Sequence, residues 1–117
     1  MTKSRNSIRK PVIFEGSSRA DIQQFTEAAQ DDLGYQLELV QRGEEPEDWK
    51  PMPTIGMGVN ELRYHDDDGW FRVAYVAKFE DAVHVLHAFR KKTNKTSLQD
   101  IEIARKRFNK LLQKVKK

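Results

Sequence analysis

The run Phe89-Arg90-Lys91-Lys92-Thr93-Asn94-Lys95-Thr96 sets four cationic side chains within eight residues. Cations at that density favour polyanions. Residues 88–117 carry eleven Lys and Arg against Asp100 and Glu102, a local net charge of +9. The whole chain of 117 residues is only +3, so residues 1–87 net −6. Charge segregated in this way suits a polyphosphate ligand such as RNA, which a uniformly charged surface would not suggest.

Strands must position these groups. Alternating apolar residues predict strands at 59–65, 70–79 and 82–89. Asp66-Asp67-Asp68-Gly69 joins the first two and Glu80-Asp81 the second two, and links this short imply antiparallel hairpins. Side chains alternate between the faces of a strand. Phe71, Val73, Tyr75, Ala77 and Phe79 therefore share one face with Leu62 and Tyr64, which reads as core. Arg63, His65, Arg72 and Lys78 share the opposite, open face, which runs toward Lys91, Lys92 and Thr93. In the last strand the alternation does not decide whether His84 or His87 faces the cleft. A polar open face is also ordinary for an antiparallel sheet, and by composition alone solvated surface is the commoner reading.

The flanking segments complete an α+β domain. Val12-Ile13-Phe14 is a short strand. Ile22, Phe25, Ala29, Leu33, Leu37 and Val40 recur at helical spacing and define one helix, or two if Thr26 caps a second. Residues 44–53, with three prolines, read as a loop. Leu98, Ile101, Ala104, Phe108, Leu111, Leu112 and Val115 form an apolar stripe on a helix over 97–115, with Thr96 and Gln99 at capping-box spacing. The expected arrangement is an antiparallel sheet covered on one side, in a single domain over 11–117 after a flexible basic arm at 1–10. No cysteine is present, so disulfides, thiolate nucleophiles and cysteine-bound zinc are excluded. That fits a reducing, cytoplasmic setting. Asp66-Asp67-Asp68 lacks metal-loop spacing and reads as a turn, so no metal or other cofactor is expected. No apolar run reaches the roughly 18 residues that suggest a membrane span, and residues 1–10 contain no apolar signal core.

Several motifs together resemble one known family. They are Asp48-Trp49-Lys50-Pro51-Met52, Ile55-Gly56-x-Gly58-Val59, Glu61-Leu62-Arg63 and Phe71-Arg72-Val73 with Tyr75-Val76-Ala77-Lys78-Phe79. Val85-Leu86-His87 and Phe89-x-Lys91-Lys92-Thr93-x-Lys95-Thr96 follow. From Arg9 to Phe108 the chain resembles the phage-derived HigB-type toxins of the RelE/ParE toxin superfamily. The resemblance implies a RelE-like fold, a small antiparallel sheet packed against N-terminal helices and a C-terminal helix. It implies a type II toxin–antitoxin toxin that cuts mRNA on the ribosome without metal, and a helix-turn-helix antitoxin as partner.

Carried over by position, Arg63, Arg72, Lys91 and Lys92 are the expected catalytic set. Lys78, Arg90, Thr93 and Lys95 are expected to bind nucleic acid. Arg72→Ala is expected to silence the protein without unfolding it. RelE proteins elsewhere in the superfamily use a tyrosine near the C-terminus, and this chain has none after Tyr75. The general base is thus left among His65, His87 and a lysine. Two other readings stay open: a ParE-like gyrase inhibitor without nuclease activity, and a degenerate module that binds RNA or antitoxin.

Overall fold

The computed structural model describes residues 9–115. Eight elements follow in order: β1 (Val12–Phe14), α1 (Ser18–Gln23), α2 (Glu27–Gln41), β2 (Trp49–Pro51), β3 (Val59–Asp66), β4 (Gly69–Val76), β5 (Val83–Lys91) and α3 (Leu98–Val115). The strands form one open sheet in the order β1-β5-β4-β3-β2. The central β3-β4-β5 meander is antiparallel, as its short links require.

Both edges differ from expectation. β2 lies in the segment read as a loop and pairs antiparallel with β3, Trp49 opposite Leu62. An edge strand tolerates Pro51, because one side of it has no ladder to donate to. β1 runs parallel to β5, Val12 opposite Val83, so the sheet is mixed rather than wholly antiparallel.

The expectation of a one-sided sheet is overturned. Against one face, Phe25, Ala29, Leu33 and Val40 pack on Leu62, Phe71, Val73, Tyr75 and Val85. Against the other, α3 lays Ala104, Phe108 and Leu111 on Val59, Ala74, Val76 and Leu86. The physical reason is that β4 is apolar on both faces beyond Arg72, and α1 and α2 already fill the first. Each large apolar side chain fully buried in these layers contributes about 1.5–3 kcal/mol. Phe79, assigned to the first layer by alternation, packs in the second, because β4 ends at Val76.

Thr26 caps α2 by accepting from the Ala29 N–H at 3.2 Å, so the N-terminal segment is two helices and the break falls there. Gly43, at φ +79°, closes the far end in the left-handed region that glycine enters without a Cβ clash. The last two residues of the expected arm are tied down: Lys10 Nζ donates to the carbonyls of Ala77 and Phe79 at 2.7 Å, and Arg9 pairs with Glu38 at 3.2 Å. Residues 1–8 of that arm lie outside the described residues.

At Gly56 the backbone passes close to α3, where an added Cβ would meet the Phe108 ring. Gly56→Ala is expected to cost about 1–3 kcal/mol by forcing Phe108 aside, read as a lower urea midpoint with an unchanged slope. No helix among the described residues is long and apolar enough to cross a membrane.

Candidate nucleic-acid interface

Arg63 and Arg72 are register partners on β3 and β4. The backbone of Arg63 is fixed on both sides: its N–H donates to Asp48 O at 2.9 Å, and its carbonyl accepts from Gln36 Nε2 at 3.1 Å. Gln36 is itself buried, and its Oε1 accepts from the Asp48 N–H at 2.8 Å.

The two arginine side chains have different fates. Arg72 is only 2% exposed. Its Nη2 donates to Asn94 O at 2.9 Å and also to Asn94 Oδ1, and its Nε lies 3.3 Å from Glu61 Oε1. Arg63 Nη2 reaches the same Asn94 Oδ1 at 2.9 Å while its side chain stays 23% exposed. Thr96 Oγ1 donates to Glu61 Oε2 at 3.0 Å. A buried carboxylate thus sits beneath two guanidiniums, with loop 92–97 folded over them. Burial pushes the Glu61 carboxyl above its ordinary pKa, opposed by the Thr96 bond and then by Arg72 and Arg63. Burial, then repulsion from Arg63, lowers Arg72, but a guanidinium keeps its proton at this depth.

A β-bulge brings β5 into the site. The pairing steps from Ala74–His87 to Tyr75–Val85 and skips Leu86. Val83 and Val85 therefore face α1 and α2, while Leu86 and His87 both turn toward α3. Both histidines lie on the α3 side, but only His87 lies near the cleft. His84 sits by the β1 edge, with Nδ1 3.0 Å from Glu15. His87 Nε2 is 2.8 Å from Asp100 Oδ1, and its ring stacks on Phe89 with centroids 5.0 Å apart. Lys91 Nζ lies 3.7 Å from Asp100 Oδ2. Ser97 Oγ donates to that oxygen at 2.6 Å and accepts from the Asp100 N–H at 3.1 Å. The cap of α3 is thus Ser97 with Asp100, not Thr96 with Gln99, because Thr96 is engaged by Glu61.

The expected site residues do not all converge. Arg63, Arg72 and Lys91 occupy one face, and Lys92, Thr93 and Lys95 are exposed in the loop beyond β5. Arg63, Lys50, Asn94 and Lys95 line a cleft of about 480 Å³ floored by Glu61. Lys78 does not join them: it donates to Met57 O at 3.1 Å, near Phe108 of α3. Arg90 turns to the opposite face, where it binds Asp68 O and lies over the Phe71 ring. Nor does the basic tail form one edge. Arg105 and Arg107 bind the carbonyls of Thr54 and Leu86, and Lys106 and Lys110 line a separate groove along α3. Tyr75 faces the α1–α2 layer, and burial pushes its hydroxyl up to about 12, so it supplies no acid or base to the cleft.

Glu61, Asn94, Thr96 and Asp100 were absent from the sequence-based set. Only Glu61 had a signal: it alternates in phase with Arg63 on the polar face of β3. Among the described residues no group of three His, Cys, Asp or Glu is arranged to hold a metal ion.

What this arrangement offers is anion recognition by a fixed, partly exposed arginine among exposed lysines. The α+β fold, with its open sheet and helices from both ends of the chain, agrees with the RelE-like fold. The model of the phage-derived Gp49-like protein family (DUF891) matches residues 20–109, so the chain belongs to that family. It is a RelE/HigB-type toxin-like family, associated with the toxins of toxin–antitoxin systems, and that association suggests an antitoxin partner. No curated protein matches the chain.

Proposed function

We propose that this protein is the toxin of a type II toxin–antitoxin pair and acts as a metal-independent endoribonuclease on mRNA held by the ribosome. The observation that supports it most is the pairing of Arg63 with Arg72 on a face that continues into Lys91, Lys92 and Lys95, in a member of a toxin-like family.

In the reaction so read, the 2′-hydroxyl of RNA attacks the adjacent phosphorus as its proton leaves to a base. The bond to the 5′-oxygen breaks and that oxygen takes up a proton, leaving a cyclic phosphate. Arg63 grips two non-bridging oxygens through its planar fork and stabilises the charge that builds on them. Lys92 and Lys95 hold flanking phosphates, and Lys91, steadied by Asp100, adds charge to the same side. The base in this reading is one of His65, His87 and a lysine of the basic cluster. The groove of about 780 Å³ between Glu15-Gly16 and α3, lined by Lys106, Arg107, Lys110 and Lys114, suits an acidic antitoxin segment. Residues 11–117 would act as one toxin domain in the cytoplasm, with no cofactor.

Mapping of transcript 5′ ends after induction tests this reading, run beside Lys91→Ala/Lys92→Ala. New ends inside coding regions, in register with codons and absent from the variant, are the expected result. Growth arrest without new ends would favour gyrase or another target, and neither arrest nor cleavage would favour a regulatory module.

A further inference from the structure

The β3–β4 hairpin ends in two stacked aromatic rings that phosphate binding does not use. His65 and Trp70 are cross-strand partners with centroids 4.3 Å apart and ring planes 23° from parallel. The Arg72 guanidinium lies 5.5 Å from the Trp70 centroid, and Lys91 is the register partner of Trp70 on β5. Arg63 follows the same face of β3 two residues from His65, a separation of about 7 Å along a strand. The stack is therefore continuous with the cationic face on both neighbouring strands.

A cross-strand aromatic pair strengthens a hairpin by about 0.2–1 kcal/mol. That role needs no exposed ring, yet His65 is exposed while Trp70, beneath it, is only partly so. The side of the imidazole turned from Trp70 is thus left to solvent beside the arginine pair. The adjoining cleft, by contrast, has no aromatic lining. An open π-face next to phosphate-binding cations fits an unpaired base, and such stacking is worth about 1–3 kcal/mol per base. A duplex offers no comparable free face within its helix.

We propose that His65, backed by Trp70, is the stacking platform for an unpaired nucleobase of single-stranded RNA whose phosphate lies on Arg63. This rests on the RNA reading above and adds the contact that would choose single strands over other polyanions.

The test is fluorescence anisotropy with a labelled, fully 2′-O-methylated oligoribonucleotide, which cannot be cleaved by its own 2′-oxygen. Wild type, His65→Ala and His65→Phe are compared, with inorganic tripolyphosphate as competitor. The expected result is binding weakened roughly 5- to 100-fold in His65→Ala and restored in His65→Phe, with tripolyphosphate affinity unchanged in all three. The proposal is overturned if His65→Ala binds as wild type does, if it loses tripolyphosphate equally, or if wild type does not bind the oligonucleotide. Transcript mapping judges the nuclease separately. Cleavage with a neutral His65→Ala sinks the platform alone, whereas His65-dependent binding without cleavage sinks the nuclease alone.

Discussion

Arg72→Ala is expected to lower the stability of the fold by about 3–5 kcal/mol, because it leaves Glu61 buried without its closest cation. Glu61 is 1% exposed, its Oε1 lies 3.3 Å from Arg72 Nε, and the alternative cation, Arg63, is 3.9 Å away. The view that this variant loses function without losing structure is thereby revised. The pH dependence follows from the raised pKa of Glu61. A carboxyl raised in the folded state binds more protons folded than unfolded. Its contribution is therefore greatest at acid pH and falls as pH rises through the folded pKa. Without Arg72 the shift grows, so the variant's deficit is larger at pH 8 than at pH 5. Glu61→Gln in the same background keeps the shape, removes the charge and restores part of the loss. Urea unfolding of the three proteins at both pH values measures this. A deficit under about 1 kcal/mol, or one flat with pH, would show that the pair is not coupled as its geometry indicates.

Arg63→Ala is the complementary variant, large in activity and small in stability. Its side chain is partly exposed, and removing it leaves the Arg72–Glu61 contact in place. Under the proposed mechanism it loses a preorganised charge on the transition state, worth roughly 10²–10³ in rate. Arg63→Lys keeps the charge but not the two-pronged grip, so it falls between. Cleavage of a reporter message in a reconstituted translation reaction gives the rates, and circular dichroism checks the fold. Folded Arg63→Ala that cleaves at the wild-type rate would remove Arg63 from the site.

Local pattern carried the middle of the molecule. The alternation from Leu62 to Tyr75 and the stripe from Ile101 to Leu111 each bury a face against a partner, so their periods are imposed by packing and stand in the sequence. The edges are different. Val12 meets Val83 across most of the chain, and nothing local states that the pairing is parallel. The bulge that turns both Leu86 and His87 to α3 breaks alternation without a glycine or proline to mark it. In the site, the face shared by Arg63 and Arg72 was legible and its burial was not. Arg72 is covered by Asn94, twenty-two residues on, and that contact exists only once the loop has folded back. Lys78 and Arg90 were misplaced for a simpler reason: β4 ends before Lys78, and the bulge shifts Arg90 to the other face.

The Asn94 clasp has a thermodynamic consequence for any anion that reaches Arg72. Both Nη2 donors are already taken by a backbone carbonyl and an amide oxygen of one residue, so an anion that uses them arrives by exchange and not by addition. Measured affinity is then the intrinsic affinity scaled by the fraction of molecules with the clasp withdrawn. A phosphodiester brings two oxygens to replace the two that leave. The Asn94 clasp would thus make displacement of the loop, and not charge alone, the condition for an anion to bind at Arg72 Nη2.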